Sequence, residues 1–302
     1  MESIQNIKSR LGAVKNVGKI TKAMEVVSAT KMRKAQEIAL RSRPYALRAL
    51  ELLRDLTEHA PVTNSLMQER EVRNTLVILV ASDRGLAGSF NAQIFRVAES
   101  LLNEPHTSVI ALGKKALSFA QKKNIPIIES HIGFGDFIDF SETEPVADRI
   151  IKGFREGLWN RVLTVSTHFR TTLKQETLVR QILPTDYKKI KETVDELTPE
   201  HGRFSAKKNG ITNRVQSSVD YIYEPSIEVV LDELVPYLLS LQLYHVMLEA
   251  NASEHSARMV AMKTASDNAE DLSRSLVLLA NKARQASITK EMIEIISTQN
   301  AL

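Results

Sequence analysis

At 302 residues, with 43% hydrophobic and 25% charged side chains, the chain has the composition of a water-soluble protein large enough for two domains. It holds no cysteine, which excludes disulfides, thiol catalysis and cysteine-ligated metals. No window approaches the roughly 18 consecutive apolar residues of a membrane span, and the net charge of +4 is unevenly spread.

Ile4, Ile7, Leu11, Val14, Ile20, Met24, Val27, Ala35 and Ile38 recur mostly at three- and four-residue steps, which predicts a long amphipathic helix. The pattern resumes after Pro44 with Leu47, Leu50, Leu53 and Leu56. A proline inside a helix usually kinks it, so a bend is expected near residues 43–45. Between Lys8 and Lys34 stand eight basic residues and a single acid, Glu25. Such a segment is an organelle presequence, a solvated coiled-coil face, or a basic collar for an acidic partner surface. The stripe runs past residue 50 without a cleavage-type break, which argues against the first.

Residues 73–184 change period. The runs 75–82 (TLVILVAS), 108–113 (SVIALG), 126–130, 162–167 (VLTVST) and 177–183 (TLVRQIL) predict strands. Helices are expected at 91–102, with Asn91 as N-cap, at 114–123 and at 144–158. This alternation predicts a Rossmann-like α/β domain with a mostly parallel five-stranded sheet. The segment 185–218 is polar and contains Pro199, Gly202 and Gly210; it is expected to be an irregular surface excursion.

Two motifs bear on chemistry. The first strand ends in Asp83-Arg84-Gly85-Leu86-Ala87-Gly88, a turn leading into a helix, where doubly wound folds hold phosphates. Its spacing fits neither G-x-G-x-x-G nor the P-loop. Turn geometry explains Gly85 and Gly88 more simply, and a local ion pair or partner contact explains Asp83 and Arg84. The seven histidines form no H-x-x-x-H pair, and His245 and His255 are too far apart on a helix to share a metal. Each is expected to be satisfied or exposed. No catalytic, cofactor-binding or metal-binding residue is expected.

From about residue 226 to 297 the chain reads as one helix, roughly 110 Å long at 1.5 Å per residue. Ala257, Ala261, Ala265 and Ala269 recur every four positions, with Met259, Met262, Leu272, Leu276 and Leu279 between them. The first helix, roughly 80 Å, is its natural partner. The expected shaft is an antiparallel coiled coil of residues 1–58 and 219–302, without a strict heptad and closely packed at the alanines. The longer helix would overhang by about 20 residues, from Lys282 onward, and an isolated helical end is marginal in water unless something surrounds it.

The segments 7–36 (IKSRLGAVKNVGKITKAMEVVSATKMRKAQ), 82–91 (SDRGLAGSFN), 221–225 (YIYEP) and 248–297 (LEANASEHSARMVAMKTASDNAEDL through NKARQASITKEMIEIIS) closely resemble the γ subunits of F-type ATP synthases. The resemblance implies a non-catalytic central stalk. Its coiled coil would stand inside the α/β hexamer and its sheet domain beside the ε subunit and the c ring, passing torque between them. It implies hexamer contacts at Lys19, Met24, Arg33, Arg258, Arg284, Gln285, Thr289 and Glu291. Foot contacts would come from Asp83, Arg84, Tyr221 and Tyr223. Ala87 stands where many relatives have cysteine, and the absence of a cysteine pair excludes the redox control of plastid forms. Because the first motif begins at Ile7, a bacterial protein is expected, peripheral on the cytoplasmic face of the plasma (inner) membrane. Binding to nucleic acid is not expected, since the basic helix lacks aromatic residues for stacking.

Overall fold

The structure, a computed structural model, describes residues 3–59, 64–135, 137–196 and 223–299. In chain order the elements are α1 (Ile4–His59), β1 (Thr75–Val80), α2 (Phe90–Leu102), β2 (Thr107–Leu112), α3 (Lys114–Lys122), β3 (Ile127–His131), α4 (Phe140–Arg155), β4 (Arg161–Phe169), β5 (Gln175–Leu183), α5 (Tyr187–Glu196) and α6 (Ile227–Gln299). Two compact units result, one from Met1–Ser28 with Arg258–Leu302, the other from Ala29–Ala257.

The larger unit is built on a five-stranded sheet of order β3-β2-β1-β4-β5. The first four strands are parallel and β5 returns antiparallel to β4. The central strand β1 is buried at every residue, so its alternating side chains enter two separate cores. Val77 and Leu79 join Val109, Ala111, Val165 and the inner faces of α2 and α3. Leu76, Ile78 and Val80 join α4, the second half of α1 and the first third of α6. Burying each such side chain contributes about 1.5–3 kcal/mol before entropy is counted. Trp159 closes the α4 side: a Cβ on Gly153 would lie 2.0 Å from its ring, and its indole N–H donates to the Ile150 carbonyl at 3.0 Å.

In this unit α6 is not amphipathic. Every residue from Leu238 to Ala250 is buried, as for a helix enclosed on all sides. The polar residues Ser240, Gln242, His245 and Glu249 lie within that run.

Helix α1 runs through Pro44 as a single element. Several local expectations are corrected. Helix α4 starts at Phe140, one turn before the expected start, because Asp139 and Glu142 form a capping box. Asn91 does not cap α2. Ser89 occupies the cap position, and the Asn91 amide turns back to the Ser82 hydroxyl at 2.7 Å and the Ser82 backbone N–H at 3.1 Å. The polar segment after Leu183 opens with helix α5 instead of irregular chain.

The smaller unit is an antiparallel helix pair. Its seam on α1 consists of Ile4, Ile7, Leu11, Val14, Gly18, Thr21, Glu25 and Ser28, all buried or half-buried. The facing seam on α6 is Met262, Ser266, Ala269, Ser273, Leu276, Ala280, Ala283 and Ser287. Both sets advance in alternating steps of three and four, so a strict heptad is present where none was expected. Ile20 and Val27, read as stripe residues, are 59% and 52% exposed, and Leu272 and Leu279 point outward too. At Gly18 an added Cβ would lie 3.4 Å from the Ala269 Cβ, which fixes the register. That register sets Ile4 level with Ala283. The Thr21 hydroxyl in the seam is satisfied within α1, its Oγ1 donating to the Val17 carbonyl at 3.0 Å.

Candidate functional site

The smaller unit carries a surface that a free two-helix coil would not need. Outside the seam, α1 exposes Val17, Ile20, Val26 and Val27, each above half, and α6 exposes Leu272, Val277, Leu278 and Leu279, Leu278 at 71%. Ile288, Met292 and Ile296 continue the apolar surface beyond the register of the first α1 turn. Charged residues are interleaved with them. Lys19 is exposed, and the exposed Lys22 ammonium meets Glu25 at 2.9 Å. The Glu25 partner, with Asp267 adding a weaker attraction, raises the Lys22 ammonium above its ordinary value. Apolar surface rimmed by charge is the signature of a protein interface.

The residues implied by resemblance divide three ways. Lys19, Arg33, Arg284, Gln285, Thr289 and Glu291 are exposed, and Met24 is half-buried beside the seam. The Thr289 hydroxyl donates to the Gln285 carbonyl at 2.9 Å, and Glu291 accepts from Ser287 at 3.4 Å. Arg258 is only 8% exposed, so its guanidinium does not lie on an outward surface. Tyr223 is partly buried against the larger unit's core, and Tyr221 lies outside the described residues.

The loop after β1 is a folded brace. The Asp83 carboxylate accepts from the Lys114 backbone N–H at 2.8 Å and the Gly133 N–H at 2.9 Å. It thereby caps α3, whose own cap residue Gly113 has no side chain, and ties down the loop after β3. Gly113 itself is obligatory: its φ is +98°, and a Cβ there would lie 2.0 Å from the Ala81 carbonyl oxygen. Arg84 and Leu86 point outward. The expected local ion pair between Asp83 and Arg84 is thus replaced by backbone capping. A cavity of about 40 Å³ remains between this loop and α6, lined among others by Asp83, Gly113, Phe134, Met247, Asn251 and Glu254. Ligand pockets run to about 300–1,000 Å³, so this volume suits water.

A buried polar cluster was not legible in the sequence. His168 on β4 and Glu249 on α6 meet at 3.0 Å between Nδ1 and Oε2, and Arg180 Nη2 on β5 lies 3.4 Å from the same oxygen. His168 and Glu249 are 3% and 6% exposed. With its proton on Nδ1 the imidazole donates to the carboxylate, whose charge Arg180 balances. The one advance signal was an acid inside the apolar run 238–250. His245, one turn earlier on α6, is fully buried, and neither ring nitrogen meets a hydrogen-bond partner among the described residues. It is therefore neither satisfied nor exposed, contrary to expectation. Burial pushes its pKa down to about 4. Among the described residues no group of three His, Asp or Glu could hold a metal, and no helix is long and apolar enough to cross a membrane.

Comparison with known proteins places these surfaces in context. The family model described as ATP synthase matches residues 3–302. The ATP synthase gamma chain of Chlorobaculum tepidum is 38% identical over 312 aligned positions, covering 100% of this chain and 99% of that one. The gamma chain of Roseiflexus castenholzii is 39% identical with the same coverage. Among solved structures, a chain from the Euglena gracilis mitochondrial ATP synthase, of its OSCP/F1/c-ring portion, aligns over 99% of this chain and 94% of its own. Its TM-score is 0.65 at 17% identity. A chain of the Tetrahymena thermophila central stalk and c-ring aligns over 82% of this chain and 99% of its own, with a TM-score of 0.57 at 21% identity. Those two likenesses concern the fold; the sequence matches, which run the length of the chain, show that it belongs to the ATP synthase gamma-chain family.

Proposed function

We propose that the chain is the central rotating stalk subunit of an F-type ATP synthase. It transmits torque between a membrane ring of c subunits and the catalytic α/β hexamer, coupling ion flow to ATP synthesis or hydrolysis. The observation that carries this reading is the apolar exterior of the coiled coil. A two-helix coil buries its seam and leaves a polar exterior, yet here both helices also expose aliphatic residues on their outer faces. Such an exterior is suited to being covered by a surrounding protein, and an α/β hexamer provides a sleeve of that kind.

In that setting the chain carries out no bond chemistry of its own. Lys19, Met24, Arg33, Arg284, Gln285, Thr289 and Glu291 face the hexamer. Arg84 and the region of Tyr221 and Tyr223 face the ε subunit and the c ring. Asp83 acts there indirectly, by bracing the loop that presents Arg84. A stalk shifts the equilibrium of each catalytic site only by contacting its open, loose and closed states differently. An asymmetric surface, aliphatic in places and basic in others, supplies such differences as it turns. The complex sits on the cytoplasmic face of the bacterial plasma (inner) membrane, and the chain is held there peripherally.

The test is reconstitution of an α/β hexamer with and without this chain. Addition should raise ATPase turnover and produce ATP-driven rotation of a bead attached to the sheet domain. Hexamer activity indifferent to the chain, with no rotation, would refute the assignment.

A further inference from the structure

The sheet grips α6 through polar side chains along one line of the helix. Glu249, Ser253 and Ser256 follow one another at steps of four and three, so they share a face of α6. All three meet the β4–β5 hairpin. Glu249 takes His168 at 3.0 Å and Arg180 at 3.4 Å. Ser253 Oγ donates to the Thr167 carbonyl at 3.3 Å. Ser256 Oγ donates to the Thr172 carbonyl at 2.7 Å and accepts from Gln175 Nε2 at 3.3 Å. On the same stretch of α6, Met247, Leu248 and Ala250 join the apolar core.

We propose that this polar line is the torque-bearing key between the sheet and α6, with Glu249 as its central positioning residue. The proposal rests on the stalk reading above. Apolar attraction is non-directional, so aliphatic surfaces resist sliding only through the interlocking of their shapes. Hydrogen bonds and ion pairs are directional, and in a buried site they are little screened by water. A sheet driven around the axis of α6 loads this hairpin–helix contact in shear, and the polar line opposes that motion. Placing ions where apolar side chains would pack as stably makes sense if direction, not stability, is what the site supplies.

The test replaces the cluster by side chains that keep volume and remove direction, His168→Leu with Arg180→Met and Glu249→Leu, in the complete ATP synthase. Stability and unloaded ATP hydrolysis should stay near wild type. The ion gradient sustained by ATP-driven pumping, the measurement made under load, should fall to about half or less, because slippage grows with opposing torque. An unchanged gradient, or equal losses in loaded and unloaded activity, overturns the proposal. If the triple variant does not assemble, Ser253→Ala with Ser256→Ala decides the matter on the same two readouts, with a smaller loss expected under load and none without it. The stalk reading is judged separately by the wild-type complex. If wild type pumps and turns while the variants match it, the key is refuted and the stalk stands.

Discussion

Gly18 of α1 and Ala269 of α6 face each other across the seam of the helix pair, with 3.4 Å between the position of an added Cβ and the Ala269 methyl carbon. That contact is ordinary van der Waals distance, so alanine fits but nothing larger does. Gly18→Ala should stabilise the full chain by about 0.5–1 kcal/mol, because glycine in a helix interior has the greatest backbone freedom to lose. Gly18→Leu should destabilise by about 1–3 kcal/mol by forcing the axes apart. Thermal unfolding followed by circular dichroism checks both, and equal melting temperatures for the two variants would contradict the close approach.

The seam shows why the coil was only half legible in the sequence. Searching for apolar residues found Ile20, Val27, Leu272 and Leu279, which lie outside the seam. The true inner positions include Gly18, Thr21, Ser28, Ser266 and Ser273, whose small size permits the contact and whose polarity hides it. A helix that must meet both a partner helix and a surrounding protein is apolar on more than one face, and hydropathy alone does not rank the faces. The sheet was read almost strand for strand, most directly at β1, β2 and β4, whose short apolar runs are buried almost throughout. The Glu249 cluster escaped notice because its members are brought together only by the fold, from three separate elements.

His245 should make stability depend on pH. Its ordinary pKa of 6.5 falls to about 4 on burial. The unfolded chain therefore takes up the proton first as pH is lowered. Stability should be complete above about pH 6.5, decline between 6.5 and 4 by about 3 kcal/mol in total, and change no further from this group below that. His245→Leu removes the titration and an unsatisfied buried polar group, so it should raise stability by about 1 kcal/mol at pH 7 and by more at pH 5. Denaturant melts of both proteins across that range test it; parallel pH profiles would show that His245 is not the group responsible.

Asp83 should matter to the sheet domain more than its partial exposure suggests. Its two oxygens hold two backbone N–H groups from different segments. Asp83→Ala should cost about 1–3 kcal/mol and speed hydrogen exchange at Lys114 and Gly133 selectively. Asp83→Asn keeps one acceptor and turns an amide N–H toward the other donor, so a smaller loss is expected. Exchange rates unchanged at both amides would mean that the carboxylate does not brace them.

The end of α6 extends past the α1 register, with Ile288 at 49%, Met292 at 61% and Ile296 at 58% exposure. A helical end without a facing helix is held mainly by its own backbone bonds, and those open readily. Limited proteolysis of the full chain in isolation should cut beyond residue 287 before anywhere else in the helix pair. The same sites should be protected once an α/β hexamer surrounds them. Arg284 and Gln285 lie at the base of this segment and are exposed, so Arg284→Ala with Gln285→Ala should leave the melting temperature within about 0.5 kcal/mol of wild type in equivalent stability. Coupled ATP synthesis by the assembled enzyme should nevertheless fall on the proposed function, in which these exposed side chains face the hexamer. Unaltered synthesis would take both residues out of the interface, while a matching drop in melting temperature would make their role one of folding.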